Sequence, residues 1–335
     1  MRALVIIAVG YLVILPIVAW LLVWQQAPQQ ALLNVACDPT RELWRDLNRG
    51  FRDQYERDTG RRIVVKQSHG GSGSQARAVI DGLDADVVSL ALWSDTEAIS
   101  RKGLIAPGWE DRLPNRSLPY YSTIVLVVRQ GNPKQIFDWP DVARPGISVI
   151  TPNPKTSGNG RLSFLAAWGA VRQAGGSEAD AEAFVTRMYR QTPVLDTAAR
   201  GSAMTFAQKG IGDVHLTWEN EAHLEVKEAG GKLEIIYPKR SIKAEPHVAL
   251  VDANVDRKGT RAAAEAYLRY LYTPEAQETI ARHYHRPFDD AVLGRHRDVF
   301  RPIELFEVTA VAKSWEDAQK RFFADGGVFD RIYQN

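Results

Sequence analysis

Residues 67–92, QSHGGSGSQARAVIDGLDADVVSLAL, constrain the fold more than any other stretch of the chain. A β-branched run, Ile63 to Val65, leads into His69-Gly70-Gly71-Ser72-Gly73. Ala76, Val79, Ile80 and Leu83 then recur at helical spacing before a second apolar run, Val87 to Leu92. The pattern is strand, glycine loop, helix, strand. Glycines remove Cβ atoms where a backbone must approach another group, and the start of a helix aims unpaired N–H groups and a partial positive charge at one point. That point suits an anion. Two other readings fit the same residues. Gly71-Ser72-Gly73-Ser74-Gln75-Ala76 matches the G-x-G-x-x-A dinucleotide form with Asp95 roughly 20 residues on, and an ordinary strand–helix connection can also be rich in Gly and Ser. A Walker phosphate loop is excluded, because no G-K-[ST] follows the glycines.

A chain of 335 residues, 45% hydrophobic and 24% charged, has the composition of a globular protein and the length of two domains. With a formal charge of +2 and no basic block, nucleic acid is not an expected partner. The single cysteine, Cys37, excludes an intrachain disulfide and a cysteine-based zinc site, and its apolar neighbours make it a small core residue. Asn34 stands where a lipobox requires leucine, which argues against lipid attachment at Cys37. Residues 3–24 are almost uninterruptedly apolar after Arg2, long enough to span a bilayer, and carry Trp20 and Trp24 at interfacial positions. This segment predicts export, as a cleaved signal or a retained inner-membrane anchor, and residues 1–30 are set apart from the folded domains.

The first strand, Leu32 to Ala36, runs into Asp38-Pro39, which reads as an N-cap followed by proline at the first helical position. Thr59-Gly60 closes that helix. A helix near Asp95 to Lys102 and a long strand from Tyr121 to Arg129 follow the central loop. A second set opens with Ile147 to Ile150, TPNPKTSGNGR and a further helix, then Ser177 to Tyr189 as an amphipathic helix and Val214 to Trp218 as a strand. Val248 to Val251 reads as a strand returning to the first set, and residues 264, 267, 268 and 271 form one apolar helix face. Residues 300–335 form a mixed segment broken at Gly326-Gly327. These βα units predict an α/β fold with mainly parallel sheets and a cleft between two lobes.

The strings DPTRELW, QSHGGSGSQARAVIDGL, RQGNPKQIFDWPD, SVITPNPKTSGNGR, ARGSAMTFAQKGIGDV, TWENEA and YLYTPEAQE resemble, in order, the periplasmic sulfate-binding component of the sulfate and thiosulfate ABC importers. The resemblance implies a type II periplasmic binding protein fold, with lobe I from residues 31–122 plus 246–298, lobe II from 123–245, and 299–335 packing across both. It implies a monomer that works in the periplasm, with sulfate or thiosulfate as ligand and membrane permease subunits as partners. It also implies a ligand set made of uncharged donors. These are the Asp38 N–H, the Ser72 N–H, the Ser157 hydroxyl, the Gly158 and Asn159 N–H groups, the Ala199 N–H and the Trp218 indole. Arg200 would then stand behind the site in an ion pair with Asp95 across the cleft, and His69 would bond loop groups. Asn159 departs from the Gly-Gly common in such proteins.

The residues agree with that set, since Asp38, Ser72, Ser157 and Ala199 each lie at or just before a predicted helix start. Four such ends of roughly half a charge each balance about two negative charges without a lysine or arginine. Read singly, Asp38 is a helix cap, the two serines are loop residues, and Trp218 is a core aromatic. Other oxyanions, namely molybdate, phosphate or a sulfonate, suit the same fold. An NAD-binding or hydrolytic enzyme is the remote alternative: no G-x-S-x-G elbow surrounds either serine and no H-E-x-x-H occurs. No cofactor or metal is expected.

Overall fold

The structure, a computed structural model, describes residues 30–333. The apolar segment 3–24, with its cleaved-or-anchored reading, lies outside the described residues. Among those described, no helix is long and apolar enough to cross a membrane.

The first sheet is built by three strand–loop–helix units. β1 (Gln30–Cys37) leads into α1 (Arg41–Thr59), β2 (Ile63–Gly70) into α2 (Ser72–Ile80), and β3 (Val87–Leu90) into α3 (Trp93–Ser100). α1 ends at Gly60, whose φ of 68° is left-handed and suits a residue without Cβ. β2, β1 and β3 lie side by side and parallel, with Val35 opposite both Ser68 and Val88. All three helix-opening loops therefore emerge at one edge, the carboxyl ends of the strands, where open α/β sheets bind ligands. Alternate residues of β1 feed cores on opposite faces. Leu32 and Ala36 pack with Trp44, Leu47 and Tyr267, and Val35 packs with Val79 and Ile99.

The long strand β4 (Tyr120–Arg129) then carries the chain to a second sheet. There β5 (Val149–Ile150) feeds α4 (Gly158–Gln173), and α5 (Glu178–Arg190) and α6 (Ala199–Ala203) precede β6 (Val214–Trp218) and α7 (Glu219–Glu228). β7 (Leu233–Ile236) and β8 (Arg240–Ala244) return along β4, and β9 (His247–Leu250) joins the first sheet beside β3. α8 (Arg261–Tyr270) and α9 (Pro274–Arg282) cover the first sheet, burying Ala264, Tyr267, Leu268 and Leu271 as the periodicity predicts. β10 (Arg286–Pro287) pairs with β4, and β11 (Glu304–Phe306) with β8. α10 (Val328–Tyr333) ends the described chain. Phe322, Phe323 and Phe329 of this last segment pack around Phe164 of α4 in the core of the second lobe, and Arg101 of the first lobe reaches Glu316 at 3.1 Å.

The expectation of mainly parallel sheets holds for the first sheet, where β2, β1 and β3 are parallel, and needs correction for the second. β6, β7, β8 and β10 all pair antiparallel with β4, and β9 pairs antiparallel with β3. β4 enters the second sheet from the first lobe and runs opposite to β6, which the second lobe's own strand–helix units supply parallel to β5, so the strands beside β4 lie antiparallel to it.

Candidate functional site

The loops at the carboxyl ends of β1, β2 and β3 meet loops of the second lobe around one small cavity. It is lined by Cys37, Asp38, Gly70, Gly71, Ser72, Ala91, Ser157, Gly158, Asn159 and Ala199, together with Pro39, and by no lysine or arginine. Six of the seven expected donors thus converge. Ser72, Gly158 and Ala199 are first residues of helices, and Asp38 opens the 3-10 turn Asp38–Thr40 ahead of α1. Their N–H groups precede the first intrahelical bonds, which begin at Gln75, Arg161 and Gly201. Asn159 follows Gly158 in the same first turn. Ser157 is the N-cap of α4; its Oγ accepts from the Gly160 N–H at 3.4 Å, and its own O–H remains available to donate.

Trp218, the seventh, ends β6 outside the cavity lining. Its side chain is fully buried and its indole N–H has no partner among the described residues. An orphaned buried donor costs about 1–3 kcal/mol, so it marks a place where an acceptor belongs.

The lobes touch closely here. A Cβ on Gly158 would stand 2.5 Å from the Ala91 Cβ and 3.2 Å from that of Ser72, and one on Gly71 would stand 2.5 Å from the Thr156 carbonyl. Glycine at these two positions is what lets the backbones close over the cavity.

Charged groups surround the cavity but are spent on each other. Two of the sequence-based expectations change. Asp38 makes no side-chain cap to its own helix, where Cys37 holds the N-cap position. Its carboxylate instead accepts from Arg41 Nη2 at 2.6 Å and, across the cleft, from the Arg200 N–H at 3.2 Å. It thereby caps α6 of the other lobe, since Asp38 is itself the first residue of its own 3-10 turn rather than the residue before it. Arg200 does not pair with Asp95. Its guanidinium bridges Glu42 at 2.5 Å and Glu221 at 3.0 Å, and burial pushes the Glu221 carboxyl well up against the pull of that arginine. Asp95 is taken by Arg161, at 2.6 Å, with both side chains buried. Its second oxygen accepts from the Ser72 hydroxyl at 2.6 Å, and Ser72 Oγ accepts from the Ala91 N–H at 3.0 Å.

Arg161 was not foreseen. A cation in the first turn of a helix opposes the helix dipole, so an arginine directly after Gly160 was a legible sign that a dedicated carboxylate waits there. Gly73 makes room for it, since a Cβ there would meet Arg161 Nη2 at 2.5 Å.

His69 bonds the loop, as expected: Nδ1 lies 3.3 Å from the Cys37 carbonyl and Nε2 lies 2.8 Å from Gln67 Oε1. Burial lowers its pKa, keeping the imidazole neutral. Burial also pushes the Cys37 thiol up to about 12, so it adds no charge to the cavity. No group of three or more His, Cys, Asp or Glu among the described residues is placed to hold a metal ion. The cavity offers N–H and O–H donors from several helix starts: it can hold an anion.

A family of bacterial extracellular solute-binding proteins matches residues 33–286. The chain belongs to that family. Among its relatives, the sulfate-binding protein of Salmonella typhimurium is 51% identical over 303 residues, covering 90% of this chain and 92% of the relative. The thiosulfate-binding protein of Pseudomonas aeruginosa is 46% identical over 306 residues, covering 91% and 92%. The solved sulfate-binding protein of Mycobacterium tuberculosis superposes with a TM-score of 0.80 at 29% identity, over 88% of this chain and all of that one. As a solute-binding protein of this type, the chain has the two-lobed periplasmic binding fold.

Proposed function

We propose that the protein captures sulfate, with thiosulfate as an overlapping ligand, outside the cytoplasm and delivers it to an ABC-type membrane permease without chemical conversion. The carrying observation is a cavity formed by the starts of helices from both lobes and lined by no cationic side chain. In this reading the anion accepts from the N–H groups of Asp38, Ser72, Gly158, Asn159 and Ala199, from the Ser157 hydroxyl and from the orphaned Trp218 indole. Residues 31–122 plus 246–298 and 123–245 move as the two lobes, and the protein acts as a monomer in the periplasm.

Selectivity follows from the donors. Sulfate at neutral pH only accepts hydrogen bonds, whereas hydrogen phosphate carries a proton that must be donated. Among N–H and O–H donors that proton is left unsatisfied, at about 1–3 kcal/mol, or roughly 5- to 150-fold in affinity. Micromolar capture corresponds to about 8 kcal/mol, within reach of seven bonds to a charged ligand at roughly 1.5–3 kcal/mol each once closure is paid for. The names of the relatives support the same ligands. Titration calorimetry with sulfate, thiosulfate, phosphate and molybdate at neutral pH tests the proposal. Micromolar or tighter sulfate binding with phosphate at least tenfold weaker is expected; no sulfate heat, or parity with phosphate, overturns it.

A further inference from the structure

The loop that carries Ser157, Gly158 and Asn159 is held from outside the cleft. Lys155, two residues before Ser157, turns away from the cavity. Its Nζ donates to the Phe323 carbonyl at 3.0 Å, the Ala324 carbonyl at 3.2 Å and Asp330 Oδ2 at 2.8 Å, and lies 3.5 Å from Asp325 Oδ1. All four partners belong to the last segment of the chain, more than 160 residues away in sequence. Asp330 is itself fixed, since it also accepts from the Gly326 N–H at 2.8 Å. The bond to Lys155 is the main reason its carboxyl titrates below the ordinary range.

The segment offering these groups cannot shift freely. Phe322, Phe323 and Phe329 lock onto Phe164, two turns into the helix whose first turn faces the cavity. On its inner side the same loop is tied to the neighbouring loop that leads to Ala199. The Asn153 N–H donates to the Asp196 carbonyl at 2.8 Å, and the Thr156 hydroxyl donates to the Thr197 carbonyl at 2.7 Å. Gly160 lets the loop fold back onto the helix start, where a Cβ would stand 2.4 Å from the Pro152 carbonyl. Three donors to the cavity, on Ser157, Gly158 and Asn159, therefore hang on a loop clamped between residues 196–197 and the C-terminal segment.

We propose that Lys155 and Asp330 form a brace that pre-organises the Ser157–Asn159 donors, making Lys155 a positioning residue for anion capture although its charge never meets the anion. The inference rests on the anion-binding reading above. Its physical basis is that N–H donors fixed before binding need no ordering when the ligand arrives, whereas a loose loop must be ordered at the ligand's expense. The brace also explains how a lysine can sit this close to the cavity without changing a site of neutral donors: its three hydrogens are consumed by two carbonyls and a carboxylate.

The test uses the full chain and two variants, Lys155→Met and Asp330→Asn, each removing one end of the brace. Amide hydrogen exchange at Ser157 and Arg161, whose N–H groups donate to the Asn153 and Ser157 carbonyls, should accelerate about tenfold or more without ligand in both variants, while amides of the first sheet stay as in the wild type. Sulfate affinity should fall about 5- to 20-fold in both, with most of the change in the dissociation rate, and Lys155→Arg should restore part of it. Unchanged exchange and affinity in either folded variant overturns the brace, as does a lowered melting temperature with affinity intact. If Lys155→Met fails to fold, Asp330→Asn decides alone. A wild type that binds no sulfate would refute the reading of the ligand, and the exchange measurement would still decide whether the brace exists.

Discussion

Trp218 shows how little a single residue reveals before it is placed. In sequence it is one tryptophan at the end of an apolar strand, and most such residues are core. It is indeed fully buried, and what distinguishes it is an indole N–H without a partner among the described residues, a property of its surroundings rather than of its type. Replacing Trp218 by Phe keeps the apolar bulk and deletes the donor. Sulfate affinity should fall by roughly 1–3 kcal/mol with the unfolding midpoint nearly unchanged, as calorimetry and urea titration would register; unaltered affinity would remove Trp218 from the site. Asp38 teaches the opposite lesson. Its position beside Pro39 reads as a local cap, and only the arrival of Arg200 from the other lobe redirects its carboxylate to the start of α6.

At the scale of elements, strand–loop–helix units bring unpaired N–H groups to the edge of each sheet, and this was legible wherever a polar or glycine residue separated two periodic runs. β9 was correctly read as a return to the first sheet, where it pairs with β3. The direction of the strands was not legible, because period-2 alternation is the same for parallel and antiparallel neighbours. The contact between helix starts is tight enough to test. Gly158 lies in the first turn of α4 with ordinary helical geometry, so alanine suits its backbone, yet the added methyl group would collide with Ala91 of the other lobe at 2.5 Å. Gly158→Ala should leave each lobe folded, hold the cleft ajar and weaken sulfate binding more than tenfold by calorimetry. Wild-type affinity in that variant would mean that the lobes do not close there.

For the whole molecule, the two lobes are joined through β4 and held by pairs that cross the cleft. Among them are Asp95 with Arg161, Glu42 with Arg200, and Asn220 Nδ2 with the Pro39 carbonyl at 2.7 Å. Near the crossing, His285 is buried with neither ring nitrogen bonded to any described residue, its ring 4.5 Å from Tyr120 and 6.5 Å from Trp218. Burial drives its pKa down to about 3 from an ordinary 6.5. The unfolded chain therefore takes up a proton below about pH 6.5 that the folded protein refuses until about pH 3, so the neutral ring's stabilisation is complete above 6.5 and lost as the pH falls. His285→Phe keeps the ring contacts and removes the titration. Its stability advantage over the wild type should grow by up to about 1.4 kcal/mol per pH unit below 6.5, measured by urea unfolding at pH 7 and pH 5. An advantage that is the same at both pH values would show that the ring is not excluded from protons.

By itself the sequence determined the alternation of strands and helices, the polar and glycine breaks where helix starts leave N–H groups unpaired, and through them a chain able to offer several neutral donors. Those are local properties, set by residue periodicity and by which N–H groups lack a partner four residues back. Only the tertiary structure decided which carboxylate meets which arginine, that Arg161 rather than Arg200 holds Asp95, and that the last segment of the chain grips Lys155. Such pairings depend on distances between residues far apart in sequence, and an ion pair chooses its partner by proximity in space.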